Sequence, residues 1–337
     1  MKVAFYSAKP FERSAFDAVF AHAGHDLVYI EPSLNLQTAA LASGSQAVCL
    51  FVNDDANEKV IDALHAQGIK SIALRSAGFN HVHLAACESR GITVARVPAY
   101  SPYAVAEHAV GLILMLNRQL HRSFNRTREH NFSLDGLIGF DMANKTVGII
   151  GLGRIGQVFA KIMLGFSCNV LGFDPAGGAE AAKLGVTLVD LPQLLRESRI
   201  ISLHCPLNPS THHLINAQAI AQMPKGVMII NTSRGAIVDS KALIDGLKSR
   251  HIGAVGLDVY EEEGDLFFRD LSDQVLQDDT LARLLTFPNA VITAHQGFLT
   301  KEALHNIAQT TLDNINGFAT GDPPSDNLVR SSAHVAR

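Results

Sequence analysis

The chain has 337 residues, 47% of them hydrophobic and 18% charged, a length that suits two domains of roughly 150 residues each better than one core. Its formal net charge is −4 and it contains no block of Lys and Arg, which argues against a nucleic-acid partner. The longest apolar stretch, residues 109–116, falls well short of the ~20 residues of a membrane span.

The N-terminus, Met-Lys-Val-Ala-Phe-Tyr-Ser, reads directly as a strand and lacks the apolar core and cleavage site of a signal peptide. Cys49, Cys87, Cys168 and Cys205 are scattered and form no C-x-x-C pair, so neither a disulfide framework nor a zinc knuckle is expected. A soluble, cytoplasmic protein with reduced thiols is the expectation. Runs rich in Val and Ile predict strands at 2–7, 26–30, 47–52, 71–75 and 92–96, with helices such as 10–23 and 57–66 between them. Apolar strands separated by helices mean a parallel sheet covered on both faces. A helix over 101–117 follows, with Ser101 able to cap it and Pro102 in its first turn. Strands at 146–150, 169–173, 186–189, 200–203, 227–230, 254–259 and 290–293 then predict a second doubly wound unit. Residues 300–328 read as a further helix that crosses back to the first domain, then an extended tail.

The strongest local signal is Gly151-Leu-Gly153-Arg-Ile-Gly156, placed between the strand 146–150 and a helix continuing over 157–164. In that context the first glycine makes the tight turn and the second lets backbone approach a pyrophosphate. The third allows close helix–strand packing, and the helix N-terminus offers its N–H groups to the anion. The next strand ends in Asp174, which suits a ribose 2′-hydroxyl and repels a 2′-phosphate. No Arg or Lys follows in Pro-Ala-Gly-Gly-Ala-Glu, so NAD is expected rather than NADP.

Three chemical groups fall at strand ends downstream of this loop. Arg234 lies past the strand 227–230, Asp258 and the triplet Glu261–Glu262–Glu263 at the end of 254–259, and His295 at the end of 290–293. Ligands of open α/β sheets sit beyond the carboxyl ends of the strands. An Arg fork holds a carboxylate bidentately, a His near its reference pKa moves a proton, and a carboxylate orients the imidazole. Chemistry alone leaves all three glutamates open as that partner.

The ordered motifs Gly-Leu-Gly-Arg-Ile-Gly, Asn-Thr-Ser-Arg-Gly, Leu-Asp-Val-Tyr-Glu-Glu-Glu and Thr-Ala-His-Gln-Gly-Phe resemble the D-isomer-specific 2-hydroxyacid dehydrogenases over residues 1–328. Arg-Ser-Ala-Gly-Phe-Asn, Val-Pro-Ala-Tyr-Ser-Pro and Asp-Leu-Phe-Phe resemble that family's fermentative D-lactate branch. The resemblance implies His295 as proton donor, Arg234 as carboxylate anchor and Glu263 as the partner of His295. It implies Arg154 and Ile155 in the phosphate loop, Asp174 on the ribose, and Cys205, Pro206, Thr211, Thr232, Ser233 and Asp258 along the adenosine and nicotinamide side. Ser76, Ala77 and Gly78 would offer backbone N–H groups to the substrate carboxylate, with Tyr100 and Phe298 walling in its side chain.

The implied architecture is α/β, with two doubly wound parallel-sheet domains. A Rossmann NAD-binding domain (101–298) is inserted in a flavodoxin-like substrate and catalytic domain (1–100 and 299–330), and 331–337 form a tail. The implied reaction is reversible hydride transfer from NADH to pyruvate, giving D-lactate, in a homo-oligomer, a dimer built on the helix 101–117 or a tetramer. A sister enzyme for a bulkier keto acid (hydroxypyruvate, 2-ketoisocaproate, phenylpyruvate) and an NAD-sensing regulatory protein are the alternatives. The segment Asn-His81-Val-His83 departs from the family pattern, where Asn or Asp is expected for each His. No third ligand is evident near it, so no metal is expected.

Overall fold

The computed structural model describes residues 1–331, which divide into two compact α/β units. The first comprises Met1–Ser101 and the described residues from Leu299 onward; the second, Pro102–Phe298, is inserted between these segments in the chain. Of the expected tail 331–337, all but Ser331 lies outside the described residues.

In the first unit the order is β1 (Lys2–Phe5), α1 (Pro10–Phe20), β2 (Asp26–Tyr29), β3 (Ala47–Leu50), α2 (Glu58–Ala66), β4 (Ser71–Leu74), α3 (Leu84–Ser89) and β5 (Thr93–Ala95). The five strands are all parallel and lie in the order β2-β1-β3-β4-β5, the flavodoxin-like arrangement. Every residue of β3 and β4 is buried, as strands covered on both faces require. β1 stops at Phe5 because Ser7 takes a φ of +50° and turns its hydroxyl onto Asp54 at 2.7 Å. Asn57 caps α2 by accepting from the N–H groups of Lys59 and Val60.

Beneath the strand ends of this unit lies a buried polar network. Arg75 donates through Nε and Nη2 to the two oxygens of Glu12, both at 3.0 Å, and caps the carbonyls of Cys49 and Tyr6. Its guanidinium lies 3.9 Å from the ring centroid of Phe5. Asp54 accepts from Ser7, Leu34 N–H and Phe51 N–H; burial raises its pKa above the usual carboxylate value despite these bonds.

The second unit runs α4 (Pro102–Asn117), α5 (Leu120–Arg128), β6 (Thr146–Ile150), α6 (Arg154–Gly165), β7 (Asn169–Phe173), α7 (Ala179–Lys183), β8 (Thr187–Leu188), α8 (Leu191–Glu197), β9 (Ile200–Leu203), α9 (Ala217–Gln222), β10 (Val227–Asn231), α10 (Ser240–Lys248), β11 (Ile252–Leu257), α11 (Asp279–Leu285) and β12 (Ala290–Ile292). Its seven parallel strands lie in the order β12-β11-β10-β9-β6-β7-β8, the Rossmann pattern with one strand added. The chain order reverses between β6 and β9, which opens a crevice at their carboxyl ends. α4 is buried on most sides, against α6, β10 and β11. α5 has no buried residue, and its Leu120 and Phe124, one turn apart, are exposed. Returning to the first unit, α12 (Lys301–Thr320) packs on α1 and β4, and Asn314 donates to the Arg96 carbonyl at 3.0 Å. Among the described residues no helix is long and apolar enough to cross a membrane.

Candidate active site

At the end of β6 the chain turns at Gly151 with φ +96°. A Cβ there would lie 2.6 Å from Cys205 N and 2.7 Å from His204 O, so only glycine lets this turn touch the loop after β9. A Cβ on Gly156 would lie 2.1 Å from Gly151 O, which fixes the close seat of α6 on its own turn. Gly153 faces open space, with nothing within 4 Å of such a Cβ. Gly153 has no side chain to cap α6, and first-turn N–H groups, here those of Arg154, Ile155 and Gly156, have no intrahelical acceptor. This is a ready anion seat. Directly after β7, Asp174 accepts from Leu152 N–H at 2.7 Å and Ala176 N–H at 2.9 Å, which sets its carboxylate against the glycine turn.

Cys205 and Pro206 follow β9 at the crevice. Burial pushes the Cys205 thiol up to about 11, so it stays protonated, and burial pushes His204 down to about 3, so its imidazole is neutral. Thr211 donates to the Pro206 carbonyl at 2.6 Å, and Ser233 donates to the Cys205 carbonyl, tying the β10 loop to the β9 loop. The neighbouring Thr232 hydroxyl is buried without a hydrogen-bond partner among the described residues. A buried hydroxyl calls for a partner, and at this crevice a ligand's polar atom would serve. Glycine turn, free helix amides, a carboxylate set beside them and a buried hydroxyl together suit a dinucleotide.

At the end of β10, the buried Asn231 side chain accepts from Ser233 N–H at 3.1 Å and donates to the Arg234 carbonyl at 2.9 Å, so one residue shapes the turn. Arg234 is half-buried and spends one Nη on the Ser233 carbonyl at 2.7 Å; no carboxylate pairs with it among the described residues. Gly235 backs onto the next loop so closely that a Cβ would lie 2.1 Å from the Tyr260 carbonyl carbon.

That next loop separates the three glutamates. Glu263 Oε1 meets His295 Nδ1 at 2.7 Å, while its Oε2 accepts from Tyr260 N–H at 2.9 Å. Glu261 turns to His213 and Ser240 instead, and Glu262 is exposed. A carboxylate on Nδ1 places a proton on that nitrogen and leaves Nε2, which has no protein partner among the described residues, to exchange the other.

His295 sits at φ +52°, a conformation that costs a non-glycine residue energy and is held only by its surroundings. Asp258, 2% exposed, does the holding. Its carboxylate accepts from Thr293 Oγ1 (2.6 Å), Gln296 N–H (2.8 Å) and Gly297 N–H (2.7 Å), and its carbonyl accepts from His295 N–H (2.7 Å). His108 Nε2 of α4 lies 3.2 Å from the same carboxylate. Burial alone would raise the Asp258 pKa, but His108, Thr293 and the loop amides outweigh it and hold the carboxyl below its usual range. Thr293 opens the Thr-Ala-His-Gln-Gly-Phe motif, whereas His108 carries no motif and shows in the sequence only as a lone His in an apolar helix.

Phe298 closes this unit half-buried. In the first unit Ser76, Ala77 and Gly78 follow β4, with Ser76 Oγ donating to the Gly78 carbonyl at 2.7 Å and Arg96 donating to the Ala77 carbonyl at 2.8 Å. The Tyr100 carbonyl accepts from Asn306 at 2.7 Å. His83 Nδ1 accepts from Ala86 N–H at 3.2 Å and so caps α3, the task an Asn or Asp performs elsewhere.

A Rossmann unit with a carboxylate-held imidazole at its strand ends defines a dinucleotide-dependent oxidoreductase. The family model "D-isomer specific 2-hydroxyacid dehydrogenase, NAD binding domain" matches residues 110–297, and the chain belongs to that family. It is 50% identical to a D-lactate dehydrogenase of Escherichia coli over 329 residues, 98% of this chain and 100% of the relative. It is equally identical to a 2-hydroxyacid dehydrogenase homolog of Zymomonas mobilis over 331 residues, with the same shares covered. The solved apo form of the Escherichia coli D-lactate dehydrogenase superposes with a TM-score of 0.89 at 47% identity, covering 98% of this chain and 100% of that one. The D-lactate dehydrogenase of Lactobacillus jensenii, solved with NAD+, gives 0.81 at 32% identity, covering 98% and 99%.

Proposed function

We propose that this chain is an NAD-dependent D-lactate dehydrogenase that interconverts pyruvate and D-lactate. The observation that carries the reading is the 2.7 Å Glu263–His295 pair with Nε2 left open, in the same unit as the carboxylate-free Arg234. NADH, when bound, supplies the hydride. Arg234 takes the substrate carboxylate in its planar fork and fixes the carbonyl's orientation. His295 Nε2 delivers a proton to the carbonyl oxygen as negative charge grows there, and recovers it in the reverse direction. Glu263 keeps the ring in the Nδ1–H form and stabilises the imidazolium. Asp258 acts on the backbone, keeping residues 293–297 in the bend that aims the ring. Asp174 gives the preference for NAD over NADP.

The D-lactate dehydrogenase name of a half-identical relative favours pyruvate over bulkier keto acids. NADH oxidation should be compared across pyruvate, hydroxypyruvate, 2-ketoisocaproate and phenylpyruvate, with chiral analysis of the product. The proposal expects the highest kcat/KM with pyruvate and only the D-isomer. A bulkier acid in first place makes this a sister enzyme, and tight NADH binding without turnover makes it a regulatory protein.

We also infer a cytoplasmic homo-oligomer, since the reaction draws on NADH and the four thiols are buried and free. The dimer is built on α4, where Tyr103 is exposed. The exposed Leu120, Phe124, Phe132, Leu134 and Ile138 on the following segment add to that apolar surface. A monomer by light scattering would remove this inference.

A further inference from the structure

Outside this site, the loops after β9 and β11 bring together His212, His213 and Glu261, the last two 48 residues apart in sequence. One donor atom from each lies within 4.8 Å of the other two. His213 Nε2 and Glu261 Oε1 are 2.5 Å apart, and the two imidazoles stack with centroids 4.0 Å apart. His213 is held at φ +49° by its N–H on the Ala236 carbonyl (2.8 Å) and by Asn216, which donates to its own carbonyl (3.1 Å). Ser240 donates to Glu261 Oε2 at 3.0 Å, which leaves Oε1 for the imidazole.

We propose that these three side chains bind one divalent ion of the zinc type, with water completing the coordination. Two imidazoles and one carboxylate are a zinc donor set. Bonds of 2.0–2.1 Å in a tetrahedron place donors about 3.3 Å apart, so the His213–Glu261 pair opens from 2.5 Å while His212 draws in from within 4.8 Å. His212 is exposed and makes no side-chain hydrogen bond among the described residues, so turning its ring gives up only the stack on His213. The ion takes the place of the proton shared by His213 and Glu261, which leaves for solvent. Ser240 is the outer partner that orients a ligating carboxylate. The ion would brace both loops of the reaction site: Glu261 is two residues from Glu263, and Ala236 is two residues from Arg234.

Chelator-treated protein, titrated with Zn2+ by calorimetry and with Co2+ by visible absorption, tests this. The wild-type chain should bind one equivalent saturably, and Zn2+ should raise its melting temperature because the native state alone holds the ion. His212→Ala and, independently, Glu261→Gln should weaken binding at least tenfold while melting like wild type without metal. His295→Ala should bind as wild type does, which separates this site from the Glu263–His295 pair. No saturable binding, undiminished binding by His212→Ala, or loss of binding in His295→Ala would each overturn the proposal.

Discussion

Each unit carries an arginine beside a carboxyl-terminal strand end, and the two are used in opposite ways. Arg75 is fully enclosed, and its donors meet the two oxygens of Glu12 and the carbonyls of Cys49 and Tyr6. Arg234 is half-buried and meets one carbonyl from its own loop. The carboxylates divide the same way. Asp54 and Asp258 are buried and saturated by local donors, whereas Glu263 spends itself on an imidazole whose far nitrogen is unclaimed. Residue type at a strand end therefore says little by itself; bonding capacity left over after folding separates a chemical group from a structural one.

The largest effect should come from the unclaimed nitrogen. His295→Ala should lower kcat by about 10²–10⁴-fold, the range for losing a general acid, with NADH affinity and melting temperature near wild type. Unchanged turnover, followed by NADH absorbance, would break the contrast at its functional end. Glu12→Ala breaks it at the structural end. It strands a buried guanidinium, so denaturant unfolding should show a loss of about 3–5 kcal/mol, while turnover per folded molecule stays the same. A marginal stability change would mean that the Arg75 network is worth far less than its geometry indicates. The smallest effect sharpens the cofactor side: Asp174→Ala should narrow the preference for NADH over NADPH by about tenfold, the worth of a charge-assisted hydrogen bond. Should the ratio of kcat/KM values stay fixed, another group reads the ribose.

Much of this was legible in the chain because it is local. Val- and Ile-rich runs mark the strands of both sheets, and Gly151, Gly153 and Gly156 announce a turn that is crowded at the first and third glycine and open at the second. His295 and Arg234 stand directly after strands, so their placement at the sheet's edge follows from strand prediction. What escaped is long-range. His108 lies 185 residues from Thr293, Arg75 lies 63 from Glu12, and Glu261 lies 48 from His213; no spacing rule connects such pairs. The glutamate triplet shows the boundary well. Its chemistry left three candidates, family motif spacing chose Glu263, and the fold shows why Glu261 is otherwise engaged. Asp258, which the motif resemblance assigns to the cofactor, spends its carboxylate on Thr293, Gln296, Gly297 and His108, a bracing task that only the folded chain reveals.

A crystal structure with NADH and oxamate, a non-reducible mimic of pyruvate, tests the central claim most directly. The account predicts the oxamate carboxylate in the Arg234 fork and its amide carbonyl oxygen within hydrogen-bond reach of His295 Nε2, with Glu263 still on Nδ1. Oxamate bound away from both side chains, or His295 turned off Glu263 in the complex, would contradict it.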